Sequence, residues 1–324
     1  MSGEAVSRSL RLVGGGLIVL ELTIQQAGFA VSSRIDSLAA ALWMAIFGSL
    51  LLFGYVRAKG SLGVSEFGAA MWRPIVRTAF SNSVIAVAYV IAVDKLGLGV
   101  TAAIVALGPL SVGLWGIFKM LKDEEHPRRV WAREQLALRA AAFVGVAMVN
   151  QPWKWLEDFS ADTLIGLVAA VASAACFWNY ITCVFGKMDE TKTKGGLAVA
   201  NLLSVPLTVF AVWLTGMFMG GGLEVALSTE VVVTGLVAGV LALTVPALLQ
   251  DLATGKVSDR VTGVLYLLDS PIAAGLGAAG VFFGLLSENQ ASDIWVWSGI
   301  AMVVLAALRV TLKGDQPASE APGA

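Results

Sequence analysis

Histidine, cysteine and charge are all scarce in this chain, and each scarcity excludes something. Only 14% of the residues are charged, where an ordinary soluble domain carries about 25%; a water-facing globular surface is excluded. The one histidine, His126, lies in the charged stretch KDEEHPRR, so histidine-based metal chemistry within a membrane is excluded and no metal site is expected. Cys176 and Cys183 are seven residues apart on one predicted helix, about 10 Å along its axis, too far for a bridge. No nucleotide-binding motif and no Asp-rich loop is present, and no cofactor is expected.

What the chain has in abundance is apolar residues, 57% of the total, gathered into runs long enough to cross a bilayer. Ten are read: Leu12 to Val31, Ser37 to Val56, Pro74 to Val93, Val100 to Met120 and Leu136 to Asn150. After the acidic loop QPWKWLEDFSAD come Thr163 to Phe185, Gly196 to Met217, Val231 to Leu252, Val261 to Leu285 and Ile294 to Val310. The first run resembles a signal peptide in length, but Glu21, Gln25 and Gln26 inside it argue for a spanning helix. The end, KGDQPASEAPGA, reads as a polar tail.

Charge decides the orientation. With ten spans, 19 of the 22 Lys and Arg residues fall on the side of the termini, and only Arg34, Lys95 and Lys154 on the other. The positive-inside rule then predicts cytoplasmic termini, in an inner or plasma membrane. Pro109 and Pro271 are 162 residues apart, half of 324, so the chain reads as two copies of one unit. Five spans is an odd number, which inserts the second copy upside down. The predicted fold is therefore an all-α membrane protein of ten transmembrane helices in two inverted five-helix repeats. The repeats are residues 1–155 and 156–312, with a tail at 313–324 and a site at their interface near the midplane.

The stretch RVTGVLYLLDSPIAAGLGAAGVFFGLLSE, Arg260 to Glu288, carries the least membrane-like residues, Asp269 and Pro271. A carboxylate at membrane depth costs roughly 2.5 to 3.5 kcal/mol on insertion scales. A proline frees a carbonyl that needs another partner. Both belong beside a protein interior or a watery cavity. Glu21 is the other acid well inside a span; Glu21, Gln25, Gly28 and Ser32 share a face of the first helix. As candidate substrate-binding residues the pattern offers Glu21, Gln25, Asn82, Tyr89, Trp178, Thr182, Tyr266 and Asp269. Trp178 and Thr182 are favoured as one face of the sixth helix. Gln250 and Asp251 read as a solvated helix end. Gly108-Pro109 and Ser270-Pro271, set among small residues, read as hinges of kinked helices; static packing kinks are the other reading.

The blocks ALGPLSVGLWG and LLDSPIAAGLGAAGVFFG, with LTIQQAGFAVSS in the first helix and GLVAAVASAACFWNYITCVFG opening the second half, resemble the drug/metabolite transporter superfamily, EamA type. Within it the resemblance is nearest to the threonine/homoserine exporters and runs from about Leu17 to Leu308. It implies ten helices in two inverted repeats, a central cavity and efflux of amino acids or similar metabolites. There are departures: Ser270 stands where the family's glutamate precedes the helix-9 proline, the acid having moved to Asp269. Val105, Trp43 and Gly284-Leu285 replace other frequent family residues. A one-residue move turns an acid by about 100° around a helix.

The expected function is thus a secondary-active exporter of small zwitterionic or cationic metabolites, foremost amino acids, not an enzyme. Its expected partners are a small-molecule substrate, the lipid bilayer and a coupling proton, with no nucleic acid. Three alternatives stay open: a multidrug or nucleoside permease of the same fold, an intramembrane enzyme, and a channel or scaffold without transport.

Overall fold

The computed structural model describes residues 3–32, 36–60, 67–123, 126, 128–154, 160–188, 195–218, 228–282 and 294–313; among them all regular structure is helical and there is no β-strand. Outside the described residues lie the tail from 314, residues 283–285 of the ninth run and 155–159 of the acidic loop, along with Arg34, Lys192 and Lys194. Of Arg8, Ser32, Lys154, Gly277 and Gly280 only the backbone is described. The helices are α1 Gly3–Ser32, α2 Ser37–Ala58, α3 Ala69–Val105, α4 Leu107–Ser111, α5 Leu114–Lys122, α6 Arg129–Asn150 and α7 Ala161–Ile181. There follow α8 Gly196–Phe218, α9 Thr229–Gly239, α10 Val245–Ala253, α11 Asp259–Leu265, α12 Asp269–Phe282 and α13 Ile294–Lys313.

Among the described residues, six helical segments are long and apolar enough to cross a membrane: Ser9–Phe29, Leu38–Ala58, Ala161–Met188, Gly196–Gly216, Thr229–Ala253 and Ile294–Lys313. The broken pair Val100–Ser111 and Leu114–Lys122, bent by 56°, makes a seventh if the two pieces are one span. The protein is a multi-pass membrane protein. Phe80, Trp115, Val168, Phe210 and Leu305 each leave more than half of their surface uncovered, an apolar exterior suited to lipid.

Short polar residues start the helices. Asp36 accepts from the Leu38 and Ala39 N–H groups at 3.0 Å, and Ser160 with Thr163 forms a reciprocal capping box on α7. The main buried cluster joins Ile18, Ile75, Val146, Ile181, Leu267 and Val303, from helices spread over the whole chain. Small residues let backbones touch: a Cβ on Gly108 would lie 2.2 Å from the Ala174 carbonyl oxygen, and one on Gly28 2.5 Å from the Ala242 nitrogen.

Three stretches differ from the sequence reading. The runs Pro74 to Val93 and Val100 to Met120 are joined, because α3 stays helical through Asp94 to Gly99. Gly97 and Gly99 cost a helix about 1 kcal/mol each but remove no hydrogen bond, and no proline stands between them. Straight, its 37 residues would span about 55 Å, nearly twice the hydrocarbon thickness of about 30 Å. It is not straight: Lys95 lies at Asp162 but Gly108, thirteen residues on, lies at Ala174, so the chain doubles back between them, and a further break falls at Gly113, whose φ of 75° precedes α5. The eighth and ninth runs are each interrupted too. A π-helical turn at Val240–Thr244 precedes Pro246, and a 3₁₀ turn at Tyr266–Leu268 precedes Pro271. In the first of these, the Thr244 hydroxyl lies 3.0 Å from the Gly48 carbonyl and 3.3 Å from that of Gly239.

Candidate functional site

Helix α1 lies against α10 and against the interrupted run from α11 to α12, and along it two acids are held at successive levels. At the first level Glu21 is fully buried. Its Oε1 accepts from Gln250 Nε2 at 2.9 Å and from the Tyr266 hydroxyl at 3.3 Å. Gln250 Nε2 also donates to the Tyr266 oxygen at 2.6 Å, while its carbonyl accepts from the hydroxyl of Tyr180 on α7. The other Glu21 oxygen, Oε2, is buried and has no hydrogen-bond partner among the described residues. Phe177 closes the edge, its ring centroid 5.4 Å from that of Tyr266.

Five residues further along α1, about 7.5 Å of rise, Gln26 donates to Asp269 Oδ1 at 2.5 Å. Asp269 is the first residue of α12, immediately after the 3₁₀ turn, and is only half-buried. Tyr89 of α3, also half-buried, is near enough to feel its charge. Beside it Ser270 accepts from Asn150 Nδ2 at 3.0 Å. The 3₁₀ turn aims Tyr266 at one level and Asp269 at the next. Among the described residues, neither carboxylate is ion-paired to lysine or arginine; their hydrogen-bond partners are the amides of Gln250 and Gln26 and the Tyr266 phenol.

Two further polar clusters join α3 to the second half. Asn82 donates to Asn201 of α8 at 2.9 Å. Asn179 of α7 donates to Ser81 at 2.6 Å and accepts from the Arg77 guanidinium.

Of the residues picked from sequence, Glu21 and Tyr266 meet, and Asp269 and Tyr89 approach one another. Asn82 stands in its own pair with Asn201. Gln25 is half-buried, but it is Gln26, about 100° further round, that reaches Asp269. On α7 the inward groups are Asn179 and Tyr180: Trp178 is 41% exposed, and the Thr182 hydroxyl donates to the Trp178 carbonyl at 2.9 Å. Gln250 is corrected outright, from a solvated helix end to the buried centre of the Glu21 cluster. A signal for it exists in the sequence. Ala247, Gln250 and Ala253 recur at helical spacing and are buried together, so Gln250 lies on the packed face and Asp251 on the exposed one.

The two proline sites are built differently. In α4, Pro109 is buried and the Ser111 hydroxyl covers the Gly108 carbonyl at 2.7 Å. A Cβ on Gly263 of α11 would lie 2.5 Å from the Pro109 carbonyl oxygen, so α4 and α11 touch through backbone. At Pro271 the helix has already loosened into the 3₁₀ turn, and Asn150 of α6 holds the adjacent Ser270.

Comparison with known proteins adds fold alone. No protein-family model matches the sequence, and no curated protein matches it. A crystal structure of a protein aligns over 94% of this chain and 97% of its own, with a TM-score of 0.68 at 15% sequence identity.

Proposed function

We propose that this protein is a secondary-active exporter of small amine-bearing metabolites, amino acids first, working by alternating access between two inverted five-helix repeats in the cell membrane. The observation that carries the reading is the pair of acids at successive levels of α1, held by uncharged partners from the opposite half of the chain. A carboxylate away from water is costly, and here no fixed cation offsets it. Such a site favours a mobile one, a substrate ammonium or a proton.

The helix packing supports the ten spans and their inversion. Counting residues 69–99 of α3, α6 and the α11–α12 run with the seven segments above makes ten. Exchange each span with its counterpart five spans later and the contacts map onto one another. The pairing of α3 with α7 becomes that of α10 with α1, α3 with α8 becomes α9 with α2, and α4 with α7 becomes α12 with α1. The pairs α2 with α8 and α6 with α13 map onto themselves. Chain directions agree as well. Glu21 meets Tyr266 and Gln26 meets Asp269, so α1 and the α11–α12 run are parallel, as first and ninth spans must be. Lys95 meets Asp162 at 3.8 Å while Ser81 meets Asn179, so α3 and α7 are antiparallel. With the basic residues gathered on one side, both termini face the cytoplasm in this reading.

In the transport cycle, Asp269 binds the substrate ammonium in competition with a proton, and the Gly108-Pro109 and Ser270-Pro271 breaks let each repeat rock against the other. Proteoliposomes preloaded with unlabelled threonine or homoserine are expected to take up the labelled compound by counterflow that saturates and is competed. Linear flux, blind to competitor, would overturn the carrier reading. A thermal-shift panel of amino acids, nucleosides and cationic drugs separates an amino-acid exporter from the other permeases of this shape.

A further inference from the structure

We propose that Arg139 is a clamp which holds the cytoplasmic halves of the two broken helix runs shut against each other, and that its release opens the path to the cytoplasm. Arg139, in the middle of α6, is 1% exposed and the largest fully buried side chain among those described. Its Nη1 donates to the Leu110 carbonyl at 2.8 Å and its Nη2 to the Arg260 carbonyl at 3.0 Å. One acceptor belongs to the last turn of α4 and the other to the first turn of α11. One guanidinium thus joins the two interrupted runs, one from each half of the chain, on the N-terminal side of the Gly113 break and of the Tyr266–Leu268 turn.

The acceptors suit a planar fork. The Leu110 carbonyl stands in the last turn of α4, where the helix supplies no amide four residues on to bond it. Arginine's rigid donors reach two oxygens at once, which a lysine ammonium on a single flexible stem does less well. Around the clamp the chains already touch. The Pro109 carbonyl lies against Gly263, and the side-chain stem of Arg260 covers Gly113, where a Cβ would come within 2.5 Å of it. Eleven residues on, about 16 Å along α6, Asn150 donates to Ser270 at 3.0 Å. Helix α6 therefore grips the α11–α12 run below and above its 3₁₀ turn.

A buried charge is a poor device for stability alone, since apolar side chains of equal volume commonly do as well. It is a good device for a two-state contact, because its hydrogen bonds are either both formed or lost to water together. The seam it closes lies on the side of the basic loops, and opening there requires α4 and α11 to part. Arg139 is a positioning residue acting through backbone carbonyls. The inference rests on the transporter reading for its purpose only, and its test needs no substrate, so the two fail separately.

The test places a single cysteine at Val112, fully buried in the seam, in a Cys176→Ala, Cys183→Ala background. A membrane-impermeant maleimide is applied to inside-out and to right-side-out vesicles. With Arg139 present, labelling should be slow from both sides. A hydrogen bond to a charged group shifts an equilibrium by about tenfold or more, so Arg139→Met should raise labelling at least about tenfold from the cytoplasmic face only. Arg139→Lys should fall between. Unchanged labelling in a monodisperse Arg139→Met protein would overturn the proposal, and so would an equal rise from both faces, which marks general loosening. Should Arg139→Met fail to insert, Arg139→Lys carries the same decision: wild-type labelling overturns the clamp, and a one-sided rise supports it.

Discussion

Glu21 and Asp269 invite comparison, because each is an acid in an apolar run held by a glutamine, and they differ in almost everything else. Glu21 is closed in by Gln250, Tyr180 and Tyr266, each itself buried. Asp269 takes one amide bond from Gln26 and keeps part of its surface open, with half-buried Tyr89 nearby. The two levels thus divide into a sealed network and a partly open one; in the proposed transport cycle the open level is the one that meets substrate.

The most severe disruption should come from the centre of the sealed level. Gln250→Leu removes three hydrogen bonds, worth roughly 2 to 3 kcal/mol together at about 0.6 to 1 kcal/mol each. Thermal unfolding in detergent should show that loss, and transport should fall with it. Wild-type stability would mean the network is not formed in solution.

Asp269→Asn should part stability from function. Gln26 can turn its amide to bond the new side chain, so stability should shift by less than about 1 kcal/mol, while pH-driven flux in proteoliposomes should vanish and some downhill exchange should persist. Full pH-driven flux would remove Asp269 from the mechanism.

Glu21→Gln keeps an acceptor for Gln250 and Tyr266 and removes only the charge. Flux should fall, but less than with Asp269→Asn. A loss equal to or larger than that of Asp269→Asn would erase the distinction between the two levels.

The smallest effect belongs to an acid outside the bilayer. Glu134 is held below the ordinary glutamate value of 4.5, first by the hydrogen bond from Lys313 and then by Arg309 at 3.2 Å, against a partial desolvation that pushes the other way. A lowered folded value means stability that is present above pH 4.5 and lost as pH falls through the lower value. Glu134→Gln should flatten that acid loss slightly, and salt should weaken the wild-type contribution. An unchanged acid limb at low salt would show that the pair contributes nothing.

How much of this was legible beforehand differs by level. The open level was half visible: Asp269 announces itself as a carboxylate in an apolar run, but Gln26 is hidden behind Gln25, which shares Glu21's face by spacing. The sealed level was mostly hidden. Tyr180 and Gln250 are ordinary residues near helix ends, and only the meeting of α1, α7, α10 and the 3₁₀ turn makes them partners of Glu21. Arg139 reads in sequence as one more basic residue of a charged loop's flank, whereas packing buries it between two carbonyls.

Composition and charge order by themselves determined that the chain is an all-helical, multi-pass membrane protein, because hydrocarbon admits only long apolar segments whose backbone bonds are satisfied internally. The same sequence shows a proline in each of two runs that are interrupted in the fold, Pro109 in the fourth and Pro271 in the ninth. Tertiary structure alone decided where the breaks open, at Gly113 and the Tyr266–Leu268 turn, and which polar groups meet across helices. Periodicity assigns a residue to a face of its own helix. Which neighbour that face meets, and at what height, depends on crossings set by close contacts such as Gly108 with Ala174 and Gly263 with Pro109, residues distant in the chain.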